Sequence, residues 1–349
     1  MSEFAAWKPK RVLVTPSALE WSHGTAMVER ARLLGAEIVR LKSDRLARLP
    51  DSYRDAKSTL AVVVASPSRR RLEPIPPSAD WRFDLAEGCP AHCQYCYLAG
   101  SLGGPPIVRA YANLPEILAG LPAALGRGSI TSRSAERASE GTTFECSCYT
   151  DPLGIEHLTG GLAACINHFG AWQAPVQLRF TTKFARVAPL LGLDHGGRTR
   201  VRFSVNARGT ERFEGGAPRM PERLAALRQV AQAGYPVGIT VAPILPVAGW
   251  EDAYAQLMAD VAAALNGIAG VDLTAELITH RFSPKSKAVL QDWYPGSALE
   301  MDEALRSRKL TKFGSVKWVL PKQQMADMRS VLEQALTQWL PRARVLYWT

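Results

Sequence analysis

Apolar residues in the first 66 positions fall into three short, nearly continuous runs and one amphipathic stretch. Continuous apolar runs predict buried strands, and apolar residues three and four positions apart predict a helix. The runs are RVLVT (11–15), AEIVRL (36–41) and LAVVVAS (60–66), and the helix is MVERARLLG (27–35), which ends at a glycine. The next segment, SPSRRRLEPIPPSADW (66–81), is rich in proline and arginine. It predicts a boundary after an N-terminal α/β extension of residues 1–78.

The rest of the chain, residues 79–349, alternates strand-like and helix-like segments on a larger scale. The strand candidates are PVQLRFTTK (175–183), RVRFSVNA (200–207), YPVGITVAPIL (235–245) and LTAELITH (273–280). The helix candidates are LTGGLAACINHFG (158–170), PERLAALRQVAQAG (221–234) and WEDAYAQLMADVAAALNG (250–267). This alternation predicts an α/β fold with a parallel sheet, either a full or partial barrel or an open doubly wound sheet. No glycine-rich dinucleotide motif or P-loop is present, which disfavours a nucleotide-binding fold.

Charge and cysteine content narrow the class of protein. The 349 residues carry a formal net charge of +10 with a pI near 9.5, and this balance favours a polyanionic partner. The start of the chain lacks a signal-peptide pattern, and no apolar run reaches the roughly 18 residues of a membrane span. Six cysteines are too few for a disulfide scaffold. We therefore expect a cytoplasmic protein, not bound to a membrane, whose thiols are reduced and functional.

The stretch GCPAHCQYCYL (88–98) places Cys89, Cys93 and Cys96 in one short loop. Clustered thiolates favour zinc or an iron–sulfur cluster. A closed zinc site needs a fourth ligand, and His92 lies between two of the cysteines, where it would strain a tetrahedral site. Three ligands on a four-iron cluster leave one iron open, and an open metal position is where chemistry usually occurs. A structural zinc site stays the alternative.

The spacing of these cysteines, with an aromatic residue directly before the third, resembles the radical S-adenosylmethionine enzymes. The resemblance implies a [4Fe–4S] cluster on Cys89, Cys93 and Cys96, with S-adenosylmethionine chelating the open iron. It also implies that Tyr95 lies against the adenine of that cofactor. The fold it implies is a partial (β/α)6 barrel of the TIM type, which agrees with the alternation of strands and helices.

Longer stretches, from about residue 80 to the end of the chain, resemble the spore photoproduct lyase family. They are GCPAHCQYCYL, FECSCYTDPLGIEHLT (144–159), RFTTKF (179–184), RVRFSVNA (200–207), GITVAPI (238–244), ELITHRFSPKSK (276–287) and the tail LYWT. The resemblance implies a DNA-repair lyase that returns 5-thyminyl-5,6-dihydrothymine, the spore photoproduct, to two thymines. A 5′-deoxyadenosyl radical takes a hydrogen atom from C6 of the lesion, and the methylene bridge then breaks. The alternatives are a radical enzyme of the same branch with another nucleic-acid or nucleotide substrate, and a metal-structured nucleic-acid-binding protein without catalysis.

The reaction needs a hydrogen-atom donor, and a thiol suits this step because its S–H bond is weak. The family resemblance places the donor at Cys148 and a hydrogen-relaying tyrosine at Tyr97. Cys146 competes for the donor role, because strand alternation would place it on the same face as Cys148. Cys165, in an apolar helix, is expected to be a buried small hydrophobe.

Three further residues match family positions that hold S-adenosylmethionine. Lys183 and Ser204 lie at predicted strand ends, and Ala242 matches a backbone contact. The sequence departs from the family pattern at Tyr149, where a small hydroxyl residue that touches the cofactor is expected. Two alternatives follow: Thr150 or Asp151 takes the place of this residue, or the pocket differs in detail next to Cys148.

The basic C-terminal segment, about residues 300–349, is the predicted DNA contact. The family has a β-hairpin here that wedges at the lesion, and the candidate contacts are Arg306, Arg308, Lys309, Lys312 and Lys317. A thymine dimer must leave the base stack to reach a buried radical, so positive charge must hold the backbone meanwhile. The resemblance further implies a monomer, DNA carrying thymine photolesions as partner, and an electron donor such as flavodoxin or ferredoxin.

Overall fold

The computed structural model describes residues 4–46, 49–50, 52–102, 104–131, 134–310 and 314–349. The strands are β1 (Arg11–Val14), β2 (Glu37–Arg40), β3 (Thr59–Val63), β4 (Glu73–Ile75), β5 (Ala79–Phe83), β6 (Ala86–Glu87), β7 (His92–Cys93), β8 (Val108–Tyr111), β9 (Thr142–Cys146), β10 (Val176–Thr182), β11 (Thr199–Val205), β12 (Glu214–Gly215), β13 (Val237–Ile244), β14 (Leu273–Thr279), β15 (Arg281–Phe282), β16 (Ser307–Leu310), β17 (Val316–Val319) and β18 (Arg344–Trp348). The helices are α1 (Ser22–Leu33), α2 (Tyr53–Lys57), α3 (Leu98–Ser101), α4 (Leu114–Ala119), α5 (Glu156–Thr159), α6 (Gly161–Gly170), α7 (Met220–Gln232), α8 (Trp250–Leu265), α9 (Pro284–Trp293) and α10 (Lys322–Trp339).

In the described part of the chain, the larger sheet has eight strands in the order β18-β14-β13-β11-β10-β9-β5-β4. This sheet is curled into a half barrel. The predicted α/β class and partial barrel are therefore confirmed. Every strand candidate of the sequence coincides with an observed strand to within a few residues at each end. Most of these runs are continuous because their strands are buried on both faces, as in a sheet covered by helices. The prediction of a buried strand is wrong for β2, because it lies at the edge of its sheet and its four residues are exposed or half-buried.

Contacts along the chain divide it into two units. The first comprises Met1–Pro90, Gly104–Val201 and Ala233–Pro236, and the second comprises Ala91–Gly103, Arg202–Gln232 and Val237–Thr349. The first unit contains a five-stranded sheet in the order β2-β1-β3-β8-β6, whose first four strands are parallel. The strands β6 and β8 come after residue 79 in the sequence, yet they belong to the same sheet as β1, β2 and β3. Each of the two units is therefore built from several separate ranges of the chain. The boundary between residues 78 and 79 stays a prediction.

The core of the first unit fills both faces of the five-stranded sheet. Val12 and Val62 pack with Met27 of α1 on one face, and Leu13 and Ala61 belong to a cluster on the other. The first unit also carries the parallel strands β5, β9 and β10, with β4 antiparallel to β5. The segment 66–81, predicted as a linker, therefore contributes β4 and the start of β5.

The second unit contains the parallel strands β13, β14 and β18, and its helix α8 packs against both α7 and α10. A smaller sheet pairs β17 antiparallel with both β15 and β16. The strands β16 and β17 form the hairpin that the basic segment predicts. Lys309 lies directly opposite Lys317, and Arg308 lies opposite Trp318.

The connection from β9 to β10 departs from the single predicted helix over residues 158–170. Gly160 adopts a left-handed conformation (φ 65°) and separates α5 from α6. The backbone N–H groups of Leu162 and Ala163 at the start of α6 donate to the Glu156 carboxylate at 2.9 and 3.0 Å. Burial is the largest influence on this carboxyl and raises the pKa of Glu156 to about 7.

Glu156→Gln is expected to flatten the pH dependence of stability. A carboxyl whose pKa is higher in the folded chain takes up a proton on folding, so the wild type loses stability as pH rises through the range up to about 7. Raising the pKa from 4.5 to about 7 corresponds to about 3 kcal/mol. Urea titrations from pH 5 to 8 should show a smaller loss for Glu156→Gln than for the wild type. Equal losses, or the same flattening in the exposed control Glu29→Gln, would contradict this assignment.

Candidate active site

The cluster loop begins in the first unit, where the backbone around Cys89 is closely held. The Lys57 ammonium donates to the Cys89 carbonyl oxygen. Gly88 has a φ of +79°, and a Cβ at this position would overlap the Ile107 carbonyl oxygen. Only glycine satisfies both requirements without strain. The Cys89 side chain is half-buried.

The loop continues in the second unit, where a short antiparallel pairing fixes Cys93 and Cys96. Cys93 in β7 lies opposite Glu214 in β12, and the Gln94 N–H donates to the Phe213 carbonyl at 2.8 Å. The Cys96 N–H donates to the Cys93 carbonyl at 3.3 Å and closes a turn. Cys93 is buried and Cys96 is half-buried. The segment 213–215 therefore supports the loop that carries two of the three predicted ligands.

The donor chemistry of this loop fits an iron–sulfur cluster better than zinc. Across the described ranges, no group of three or more His, Cys, Asp or Glu side chains is arranged to hold one metal ion. A closed zinc site would need a fourth protein ligand beside the three thiols. Three thiols in one loop are the donor set that such a cluster uses.

Tyr95 is held by a buried ion pair in the second unit. Its hydroxyl donates to the Glu214 carboxylate, which also accepts from the Arg223 guanidinium. Arg223 donates further to the carbonyl oxygens of Ser204 at 3.0 Å and Pro218 at 2.9 Å. Burial, and then the neighbouring Glu214 charge, raise the pKa of Tyr95 well above its ordinary value. One ion pair thus fixes two residues predicted to contact S-adenosylmethionine, Tyr95 and Ser204.

Tyr97 differs from Tyr95 in its exposure. It immediately precedes α3, and 64% of it is accessible. Neither Glu214 nor Arg223 carries a sequence signal that marks it as a site residue, because Glu214 lies in a strand of only two residues and Arg223 lies on a helix with several arginines nearby. Only the fold brings them to Tyr95.

Cys148 lies on a turn directly after β9. The strand ends at Cys146, and Ser147 adopts a left-handed backbone conformation (φ 61°), which is uncommon for a residue with a side chain. The expectation that alternation places Cys146 and Cys148 on one face is therefore wrong, because the strand stops between them. Cys146 is buried against Cys165, and burial raises the pKa of its thiol well above the ordinary value. Cys148 is only half-buried.

The three predicted cofactor residues lie at or near the carboxyl ends of their own strands. Lys183 directly follows β10, and its N–H donates at 2.7 Å to Asp151, which also accepts from the Thr182 hydroxyl at 2.7 Å. Burial raises the pKa of Asp151 to about 6. Ser204 is the penultimate residue of β11 and is buried, and Ala242 lies two residues before the end of β13. In barrel enzymes, catalytic and binding residues come from these strand ends.

The hairpin presents three of the five predicted DNA contacts to solvent. Arg308, Lys309 and Lys317 are exposed on β16 and β17. Lys312 lies outside the described residues. Burial, followed by the charges of Arg281 and Lys309, lowers the pKa of Lys317. Positive charge is therefore concentrated on this hairpin.

Arg306 does not join this exposed set, which corrects the prediction for this residue. Its side chain is 1% exposed, and its guanidinium is paired with the Glu300 carboxylate. It also donates to the His280 carbonyl oxygen at 3.2 Å. Arg306 is thus committed to holding the base of the hairpin and cannot reach a phosphate.

Comparisons with known proteins cover the whole chain. Residues 7–349 match the family model described as spore photoproduct lyase. Spore photoproduct lyases of Bacillus subtilis (strain 168) and Geobacillus sp. (strain Y412MC61) are 38% and 39% identical, each comparison covering 98% of both chains. A solved spore photoproduct lyase complexed with dinucleoside spore photoproduct has 37% identity and a TM-score of 0.90, over 99% of this chain and 100% of that one. A mutant of such an enzyme, solved with bound AdoMet and dinucleoside spore photoproduct, matches equally well. This chain therefore belongs to the spore photoproduct lyase family.

Proposed function

We propose that this protein is a DNA-repair lyase that converts the spore photoproduct in DNA into two thymines. The observation that carries this proposal is a family match that extends from residue 7 to residue 349 and includes both thiol sites. The [4Fe–4S] cluster and S-adenosylmethionine, when bound, supply the 5′-deoxyadenosyl radical that starts the reaction. Every later step depends on how the residues of this chain hold the cofactor and the lesion.

The cluster loop and three strand ends are proposed to bind the cofactors. Cys89, Cys93 and Cys96 supply the thiolate ligands. Tyr95 packs on the adenine, and its fixed hydroxyl supports this role because the side chain cannot change its χ1 rotamer without losing Glu214. The cofactor contacts beyond the loop are Lys183, Ser204 and Ala242.

Cys148 is proposed to donate the hydrogen atom that completes repair. Its S–H bond breaks, a C–H bond forms at the thymine-derived carbon radical, and an unpaired electron remains on sulfur. Tyr97 then returns a hydrogen atom to that sulfur from its phenolic O–H. The half-buried thiol of Cys148 supports this assignment, because the thiol of Cys146 is closed off by Cys165.

The partner of this protein is proposed to be DNA that carries a thymine photolesion.

Within the described ranges, no helix combines the length and apolar character needed to cross a membrane. The electron donor of the flavodoxin or ferredoxin type, the monomeric state and the cytoplasmic location stay predictions.

One assay tests the proposed function. The protein is reconstituted with iron and sulfide without oxygen, reduced, and given S-adenosylmethionine and a dinucleotide carrying the lesion. We expect thymine and 5′-deoxyadenosine from the wild type, and neither from Cys93→Ala, which lacks one cluster ligand. Cys165→Ala is the matched control and should retain iron and both products, because this cysteine packs in α6. Formation of 5′-deoxyadenosine without thymine by the wild type would reject the function.

Removing the exposed charges of the hairpin is expected to weaken DNA binding in a salt-dependent way. Each neutralised phosphate contact contributes about 0.9 to the slope of log K against log salt. Combining Arg308→Ala, Lys309→Ala and Lys317→Ala should therefore reduce this slope by about 2–3. The charge-matched control combines Lys322→Ala, Arg329→Ala and Arg342→Ala, which lie outside the hairpin. Equal slopes for the two variants, measured by fluorescence anisotropy, would contradict a hairpin contact.

A further inference from the structure

The turn that carries Cys148 is held by the end of the neighbouring strand β5. β5 runs parallel to β9, with Phe83 opposite Cys146. The Ser147 N–H donates to the Phe83 carbonyl at 2.7 Å, and the Leu85 N–H donates to the Ser147 hydroxyl at 3.1 Å. These two bonds hold Ser147 in its left-handed conformation. Such a conformation persists only where its surroundings enforce it.

Asp84 lies between these two bonds and faces the backbone of the turn. Burial raises the pKa of Asp84 to about 6, against the lowering influence of Arg82 and of the backbone N–H groups of Tyr149 and Cys148. One carboxylate oxygen, Oδ2, accepts from Arg82 at 3.1 Å. The other, Oδ1, is buried and has no hydrogen bond of ordinary geometry among the described residues.

Arg82 connects Asp84 to the residue that departs from the family pattern. Its guanidinium lies 4.4 Å from the centre of the Tyr149 ring and donates to the Tyr149 hydroxyl at 3.1 Å. It is also paired with Glu73. A guanidinium over an aromatic face gains a cation–π attraction in addition to its hydrogen bonds. Tyr149 is thus fixed on the β5 side of the turn.

We propose that Asp84 and Arg82 are positioning residues for the hydrogen-donating thiol. Asp84 accepts from Arg82, which holds the Tyr149 hydroxyl. The backbone on either side of Asp84, at Phe83 and Leu85, holds Ser147, so that the thiol between Ser147 and Tyr149 keeps one orientation. This inference rests on the proposed function, in which Cys148 quenches the thymine radical. Asp84 contacts neither lesion nor cofactor in this scheme, so its loss changes where the radical is quenched and leaves its formation intact.

Two measurements on Asp84→Asn test this role. Asparagine keeps the shape of the side chain but loses the negative charge that the two N–H groups and Arg82 face. The first measurement is the alkylation rate of each cysteine by iodoacetamide, read by peptide mapping of the protein without its cluster. We expect Cys148 to react several-fold faster, while Cys146 and Cys165 stay protected. This readout does not depend on any reaction of the loaded enzyme.

The second measurement is the amount of thymine formed per 5′-deoxyadenosine in the reconstituted enzyme. A misplacement of about 1 Å can change a rate by about a hundredfold, so we expect this ratio to fall by about tenfold or more. Formation of 5′-deoxyadenosine should stay within about twofold of the wild type. Tyr149→Phe, which loses the hydroxyl but keeps its ring on Arg82, should show the same changes in weaker form. Asp44→Asn is the control, because Asp44 caps Ser17 at a distant exposed site.

The outcomes separate this inference from the proposed function. If the wild type forms no thymine, the proposed function fails, while the alkylation comparison still reports on the turn. If Asp84→Asn matches the wild type in both measurements, the positioning role is overturned. If Cys146 and Cys165 also become reactive, the substitution has loosened the surrounding core, and that result overturns the specific role as well.

Discussion

Glu214→Ala is expected to lower the free energy of unfolding by about 3–5 kcal/mol, because it breaks a buried ion pair and leaves one charge uncompensated. The side chains of Glu214 and Arg223 are each 1% exposed. The substitution also removes the acceptor of the Tyr95 hydroxyl. Urea unfolding monitored by circular dichroism gives the value. The same variant should bind S-adenosylmethionine more weakly, because Tyr95 and the strand end at Ser204 lose their common support.

Two further variants make this expectation specific to the ion pair. Replacing both partners, as Glu214→Leu with Arg223→Met, removes the uncompensated charge and should recover a large part of the stability. Gln229→Ala, at an exposed position of α7, is the control and should lie within about 0.5 kcal/mol of the wild type. A loss below about 1 kcal/mol for Glu214→Ala would mean that water reaches the pair and that its burial contributes little.

Cys148→Ala is expected to uncouple radical formation from repair. The ratio of competing products changes about tenfold for each 1.4 kcal/mol between their barriers. Loss of the hydrogen donor should therefore reduce thymine per 5′-deoxyadenosine by about tenfold or more, while cleavage of S-adenosylmethionine continues. Product analysis by liquid chromatography, with S-adenosylmethionine consumption measured in the same samples, gives both quantities.

The buried thiol provides the matched control for this experiment. Cys146→Ala removes a sulfur two positions away and its 3.5 Å contact with the Ser147 hydroxyl, but it leaves the two bonds of Ser147 to Phe83 and Leu85 in place. It should therefore keep the wild-type product ratio. Tyr97→Phe should reduce the number of turnovers, because the sulfur-centred radical on Cys148 then lacks its relay. Normal repair by Cys148→Ala together with failed repair by Cys146→Ala would reverse the donor assignment.

The sheet could be predicted from the sequence because its signal is local. Runs such as RVLVT and LAVVVAS are apolar at nearly every position, and strands buried on both faces tolerate that pattern. The structure places β1 and β3 within these runs, with neighbouring side chains packed into separate clusters on opposite faces. The cluster loop could be found in the same way, since three cysteines within eight residues already form a set of soft ligands without any tertiary contact.

The partners of charged residues could not be predicted, because they depend on tertiary contacts. Arg306 and Arg308 are two positions apart in the same basic stretch, yet the first is buried against Glu300 and the second is exposed. Nothing in the local sequence distinguishes them. The end of β9 at Cys146 could not be predicted either, because a serine such as Ser147 does not indicate a left-handed backbone conformation in the way that glycine does.

The opposed lysines of the hairpin have a consequence for the free protein. Lys309 and Lys317 face each other across β16 and β17, and like charges in directly opposite positions destabilise a strand pair. Salt screens this repulsion, so the hairpin of the free protein should be more ordered at high ionic strength. Salt also weakens binding to DNA. For the proposed DNA contact, added salt should thus stabilise the hairpin while weakening the complex, and phosphate binding at low salt should relieve a repulsion that is already present in the folded chain.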